Sequence, residues 1–268
     1  MNVICPISHE ILDSEACLEC AHANFPAPCE YDYSLLKKVF ATSDRSGIHV
    51  TDLLGCLRRS YFSKASPSPE YVSDMITRTL GTLTHAILED ENPLYKSEIP
   101  VEYNGIVGRV DLYYPVTGDL VDFKTTRWLD KSKLPYAEHD TQVNIYAWML
   151  EQTGHQVNRL FIQYIDMSGP SKCRSCKIPL RMTGGLLACP VCGATPKNSH
   201  LGTALFEVEK RPAEDIKGFV NARRDELQAC LSAEELSVPA SETSWLCRYC
   251  AHVDQCAEGQ EFIQKTNK

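Results

Sequence analysis

Three residues in the middle of the chain have the types and spacing to do chemistry on a phosphodiester. Asp111 closes the segment Gly108-Arg109-Val110-Asp111, and Asp122 and Lys124 stand in Val121-Asp122-Phe123-Lys124. Side chains alternate along a strand. Asp122 and Lys124 are therefore expected on one face, with Val121 and Phe123 on the other, turned into the core. With Asp111 on the preceding strand, two carboxylates and one ammonium converge on one spot. Hard divalent cations such as Mg²⁺ or Mn²⁺ take carboxylate and carbonyl oxygens. Such an ion stabilises phosphate charge and lowers the pKa of a bound water, which a neighbouring lysine can position. The bland alternative is a surface Asp–Lys ladder, since short motifs recur by chance. Gln142 and Tyr146, spaced i and i+4, share a helix face that can look toward the acids.

The elements that must hold these residues follow from periodicity and turn signals. Residues 1–32 are rich in Cys, Pro and acids and read as a small metal-held cap. Residues 33–62 read as helical, with Thr51 as an N-cap before the stretch leading to Cys56. After Pro67 and Pro69, a helix is expected over about 70–90, with Ile76, Leu80, Leu83 and Ile87 on one face and His85 upon it. Residues 98–114 predict a hairpin turning at Asn104-Gly105. Strands at 119–126, 158–167 and 203–209 and helices at 136–152 and 211–232 complete an α/β pattern around a central mixed sheet flanked by helices. The expected divisions are a Cys-rich zinc-binding cap at 1–36, a core at 37–170 and 198–240, an insertion at 171–197, and a C-terminal segment at 241–268.

Thirteen cysteines in 268 residues, paired as C-x2-C, point to metal ligation rather than disulfides. Cys173-x2-Cys176-x12-Cys189-x2-Cys192 predicts a zinc ribbon, because two such knuckles let four thiolates close a tetrahedron. Cys5-x11-Cys17-x2-Cys20-x8-Cys29 is expected to hold a second structural zinc, with His9 and His22 as spare ligands. Cys247-x2-Cys250-x5-Cys256 is one ligand short of a closed site, and Cys56 is the natural fourth. Zinc bound with Cys56 or with a histidine such as His252 is the alternative there. Cys230, among apolar helical neighbours, is expected in the core.

The order His85, Gly108-Arg109-Val110-Asp111, Asp122-Phe123-Lys124-Thr125 and Gln142-x3-Tyr146 resembles the RecB-like PD-(D/E)XK nucleases over about residues 50–256. The resemblance implies a restriction-endonuclease-like sheet. It implies a metal held by His85, Asp111, Asp122 and the main-chain carbonyl of Phe123, and catalysis by Asp111, Asp122 and Lys124. It also implies a Gln142/Tyr146 helix that shapes the site and contacts DNA. One cysteine before the core and three after it is similar to the iron–sulfur branch of these nucleases. That likeness implies a [4Fe–4S] cluster on Cys56, Cys247, Cys250 and Cys256, clasping the chain ends. That branch includes the CRISPR-associated exonuclease family, which the chain resembles in its small size, and the helicase-linked exonucleases, in which Asp-x-Lys-Thr is commoner. The former often has Glu where this chain has Asp122.

The net charge of −8 argues against a general nucleic-acid coat, but charge is uneven. Residues 1–36 hold six acids and no Lys or Arg, whereas residues 171–200 hold Lys172, Arg174, Lys177, Arg181 and Lys197 and no acids. The expected substrate is DNA, single-stranded or end-bearing, with the ribbon extending its track. Protein partners in a DNA-processing or CRISPR adaptation complex, hence antiviral defence, follow from the resemblance. The competing function is a DNA-end-binding adaptor with minor catalysis. No apolar run suits a bilayer and no basic-then-apolar leader opens the sequence, so no membrane association and a cytoplasmic location are expected.

Overall fold

The computed structural model describes residues 2–24, 29–41, 46–88, 92–233 and 238–266, with the side chains of 83–88 left outside the description. The chain divides into two compact units, residues 1–83 with 220–268, and residues 84–219.

The first unit opens with β1 (Asn2–Ile4), β2 (Ile11–Asp13), α1 (Ser14–Ala23) and α2 (Tyr33–Phe40). Each helix starts where an aspartate caps it. Asp13 accepts from the Glu15 N–H and Asp32 from the Ser34 N–H, both at 2.8 Å. There follow β3 (Ile48–His49), a 3-10 turn at Val50–Leu53, α3 (Leu57–Ala65), β4 (Glu70–Tyr71) and α4 (Val72–Leu88). β1 pairs antiparallel with β2 and parallel with β4. Val3, Cys17, Ala21, Leu36, Val39, Val72 and Met75 form the core beneath them.

The structure corrects two expectations here. The helix expected through 33–62 is broken: α2 ends at Phe40 and the helix restarts only at Leu57. The β-branched residues Ile48, Val50 and Thr51 lose rotamer freedom in a helix, and Gly55 adopts a left-handed φ of 62°. Thr51 lies inside the 3-10 turn, and Cys56 takes the N-cap position of α3. On α4, Leu80 is 47% exposed, while Val72 and Met75 are buried. The inward face at the start of α4 thus runs through Val72, Met75 and Ile76. Leu83 and Ile87 lie outside the described side chains.

The second unit contains β5 (Lys96–Tyr103), β6 (Ile106–Tyr114), β7 (Asp119–Thr126), α5 (Ala137–Gln152), β8 (Arg159–Asp166), β9 (Arg181–Thr183), β10 (Leu186–Ala188) and β11 (Thr203–Val208). β5 and β6 make the expected hairpin: Asn104 and Gly105 both take positive φ, 54° and 75°, which a two-residue turn with the strand twist requires. β6 pairs antiparallel with β7 and β7 parallel with β8, with α5 as the crossover; β11 closes antiparallel on β8. The sheet is therefore mixed, as the element pattern implied. β9 and β10 form a separate hairpin inserted between β8 and β11.

α6 (Ala213–Ser232) leads back to the first unit, where Cys230 is buried as expected. 3-10 turns at Trp245–Tyr249 and Val253–Gln255 and α7 (Ala257–Thr266) end the chain. Among the described residues, no helix is long and apolar enough to cross a membrane.

Candidate active site

β6 and β7 bring the acids together. Their pairing runs from Tyr114↔Asp119 to Leu112↔Val121, and Asp111 and Asp122 are the residues that follow this last pair on either strand. There the Asp111 carboxylate accepts the Phe123 N–H at 2.7 Å. A carboxylate has lone pairs on two oxygens, so Asp111 can hold that amide and still ligate an ion. Asp122 is 1% exposed, and the Lys124 ammonium lies 2.6 Å from its Oδ2. The expected trio is thus assembled within one unit.

The burial of β7 is the reverse of the expectation. The fully covered face carries Leu120 and Asp122, while Val121 and Phe123 are only half-buried. In the parallel register Asp122 faces Ile162 and Lys124 faces Tyr164, both buried on β8. α5 lies against β7 and β8 and is buried from Gln142 through Leu150. Cover by α5 thus overrides the apolar–polar alternation of the strand.

Gln142 and Tyr146 do share a face, and the Gln142 amide donates to the Tyr146 hydroxyl at 3.2 Å. The Arg109 backbone N–H on β6 lies close to that hydroxyl. Burial, then the nearby Asp122 charge, pushes its pKa well up, so it stays protonated. The helix thereby ties β6 to the acid pair. His85 is on α4, but its side chain lies outside the described residues.

Sequence reasoning missed His139, Tyr164 and Tyr136. Tyr164 accepts the Tyr136 N–H at 3.2 Å, and its hydroxyl lies 2.8 Å from His139 Nδ1. Burial, with the Lys124 charge second, lowers the His139 pKa to about 4, and burial raises Tyr164 to about 12. Both are therefore neutral near pH 7, and the Tyr164 proton can be donated to Nδ1. Positions 139, 142 and 146 are spaced i, i+3, i+7, a signal that one helix face carries all three.

The ribbon forms as the spacing required. Cys173, Cys176, Cys189 and Cys192 have sulfurs all within 4.8 Å of one another. The Cys173–Cys192 separation is 3.7 Å. A tetrahedron with zinc–sulfur bonds of about 2.3 Å has edges of roughly 3.8 Å. The Cys192 and Val191 backbone N–H groups hold the Cys189 thiol down to about 6, while crowding by the other three sulfurs pushes Cys176 up to about 12. Four sulfurs so placed could hold one metal ion.

In the first unit, Cys56 comes to the C-terminal segment despite its distance in sequence. Cys56 Sγ accepts from Glu242 N–H at 3.4 Å, Cys247 Sγ from Ser244 N–H at 3.4 Å, and Cys256 Sγ from the Arg58 guanidinium at 3.8 Å. The Cys250 thiol is raised by burial, and Cys56 and Cys247 are among the charges acting on it. His252 is not a ligand: its Nε2 is 3.0 Å from Ser63 Oγ and its Nδ1 2.9 Å from Ser68 Oγ, so both ring nitrogens are engaged.

Residues 35–257 match the PD-(D/E)XK nuclease superfamily. The chain is similar to the crystal structure of SSO0001, with 19% identity, a TM-score of 0.48, and 82% of this chain and 93% of that one covered. It is also similar to a phage-related exonuclease from Haemophilus somnus 129PT, with 15% identity, a TM-score of 0.32, and 60% and 70% covered. No curated protein matches it.

Proposed function

The chain belongs to the PD-(D/E)XK nuclease superfamily, and from that premise we propose that it is an exonuclease shortening single-stranded DNA ends. It is a metal-dependent nuclease, a phosphodiester hydrolase by family; the end-directed mode and the DNA specificity are the proposal. The observation that carries it is the Asp111–Asp122–Lys124 constellation beside the Gln142/Tyr146 helix face.

Asp111, Asp122 and the Phe123 carbonyl would hold Mg²⁺ or Mn²⁺, and their hard oxygens fit such an ion. When bound, it polarises the phosphate and supplies a water of lowered pKa. Lys124 keeps its ammonium against Asp122 and donates to the attacking water or a phosphate oxygen. Tyr146, held protonated, and Gln142 fix β6 relative to β7 so that the acids keep their separation. His139 and Tyr164 wall the Lys124 side with neutral hydrogen-bonding groups.

The same reading places a [4Fe–4S] cluster on Cys56, Cys247, Cys250 and Cys256. The N–H···S donors to Cys56, Cys247 and Cys256 suit sulfurs carrying negative charge, as cluster thiolates do. The ribbon holds zinc and, with its five basic residues and no acids in 171–200, extends the DNA track. A place in a CRISPR adaptation complex belongs to this proposal as its cellular setting.

End-labelled linear and circular single-stranded DNA, each incubated with the anaerobically purified protein and Mn²⁺, test the mode of action. The proposal expects linear DNA to be shortened from an end and circles to be spared; cleaved circles would make it an endonuclease. The same preparation should hold about four irons per chain and lose them in Cys56→Ser. Colourless protein with zinc in place of iron would refute the cluster.

A further inference from the structure

The ribbon knuckles have a backbone signature that recurs at the opposite end of the chain. In the first, the Cys173 N–H donates to Ile178 O at 2.8 Å, and the Lys177 N–H to Cys173 O at 2.9 Å. The Cys176 N–H points at Cys173 Sγ at 3.4 Å, and Lys177 sits at φ 62°. In the second, the Cys189 N–H donates to Ala194 O and the Gly193 N–H to Cys189 O, with Gly193 at φ 73°. This loop wraps a cysteine sulfur in amides and aims it outward as a thiolate ligand.

The turn between β1 and β2 has the same design. The Cys5 N–H donates to Glu10 O at 2.9 Å and the His9 N–H to Cys5 O at 3.0 Å. The Ser8 N–H points at Cys5 Sγ at 3.5 Å, and His9, a residue with a Cβ, takes φ 58°. Every offset is that of the first ribbon knuckle, with Ser8 where the ribbon has its second cysteine. α1 then presents Cys17 and Cys20, three residues apart and so on one face. Cys29 packs against the cluster that contains Cys17.

We infer that Cys5, Cys17, Cys20 and Cys29 form a zinc site in which a single-cysteine knuckle, a helix pair and a following cysteine supply the four thiolates. Val3, on β1 two residues before Cys5, lies in the same buried cluster as Cys17, so β1 carries the knuckle to the helix pair. His22 stacks edge-on against the Tyr33 ring at 5.4 Å, on the helix side away from Cys20, and is not needed as a ligand. Zinc rather than a hard cation follows from the all-sulfur donor set. The competing arrangement is four reduced thiols filling the core around Val3 and Leu36. In that case, however, the knuckle amides around Cys5 would have no thiolate to stabilise.

This inference does not rest on the nuclease reading, and its test reads metal alone. The full chain carrying Cys173→Ser, Cys176→Ser, Cys189→Ser and Cys192→Ser, refolded under reducing conditions with zinc, should keep about one zinc per chain. Loading it with Co²⁺ should give thiolate-to-cobalt charge transfer and tetrahedral d–d bands. Adding Cys5→Ser and Cys20→Ser should abolish both. In case the ribbon variant folds poorly, zinc released from unaltered protein by a thiol-blocking mercurial should total about two per chain, with iron counted separately. A ribbon variant without zinc, one zinc in the unaltered chain, or iron alone at the N-terminal site would each overturn the assignment.

Discussion

The carboxylate centre and the ribbon lie in one unit and are built by opposite means. Around Asp122, the sheet and α5 bury Leu120, Ile162, Ile145 and Tyr164 completely or nearly so. The acids are positioned by this apolar packing. The ribbon has only Cys173, Leu180 and Cys189 as a buried cluster; β9 is exposed throughout, and Met182, Leu186 and Val191 face solvent. Two of its three core residues are cysteines of the quartet, so on the proposed zinc reading metal supplies what apolar area does not. On the proposed reading, one region uses a fold to place a metal, and the other uses a metal to make a fold.

Metal removal should separate the two most sharply. Structural zinc in small thiolate sites contributes on the order of 10–16 kcal/mol to folding. Stripping it, or introducing Cys173→Ser with Cys176→Ser, should therefore abolish amide-exchange protection across 171–197. Protection in β6, β7 and α5 should be kept. Equal loss in both regions would end the distinction.

A smaller effect is expected at Lys124. Lys124→Ala should lower cleavage by about 10²- to 10⁴-fold. It also removes the ammonium beside a buried carboxylate, so the metal-free variant should lose roughly 3–5 kcal/mol. Mg²⁺ should restore part of that stability, since it answers the same charge. Thermal melts with and without Mg²⁺ measure both; an unchanged melting temperature in either condition would mean the pair is not buried as described.

The smallest effect is a pH dependence. His139 has a folded pKa of about 4, below an unfolded value of about 6.5. Between those values the unfolded chain binds the extra proton. The contribution of neutral His139 is thus complete above about pH 6.5 and lost as pH falls toward 4. His139→Gln should flatten melting temperature against pH within that window and leave it unchanged above pH 7. A parallel shift at all pH values would show a packing role alone.

Much of the site was legible because its logic is local. Asn104-Gly105 announces a turn that its φ values confirm, and the C-x2-C pairs at 173/176 and 189/192 announce knuckles that close as loops. The buried face of β7 was not legible, since Val121 and Phe123 are more apolar than Asp122, and the choice is made by a helix that the strand sequence does not mention. Tyr164 and His139 come from β8 and α5, and their meeting beside Lys124 depends on the parallel register, which sequence spacing does not encode. Cys56 was separable from the other cysteines only by arithmetic. Its arrival at Glu242 is a tertiary event, as is the engagement of both His252 nitrogens by serines.

Whether the paired acids are a metal-dependent cleavage centre held by the fold is decided by comparing the protein with its Asp122→Asn variant on end-labelled single-stranded DNA, with Mn²⁺ and with EDTA, while amide exchange monitors β7. The unaltered protein should cleave with Mn²⁺ only and the variant not at all, with the same exchange protection and DNA binding in both. Cleavage by Asp122→Asn at the unaltered rate, or cleavage that persists in EDTA, would contradict that assignment.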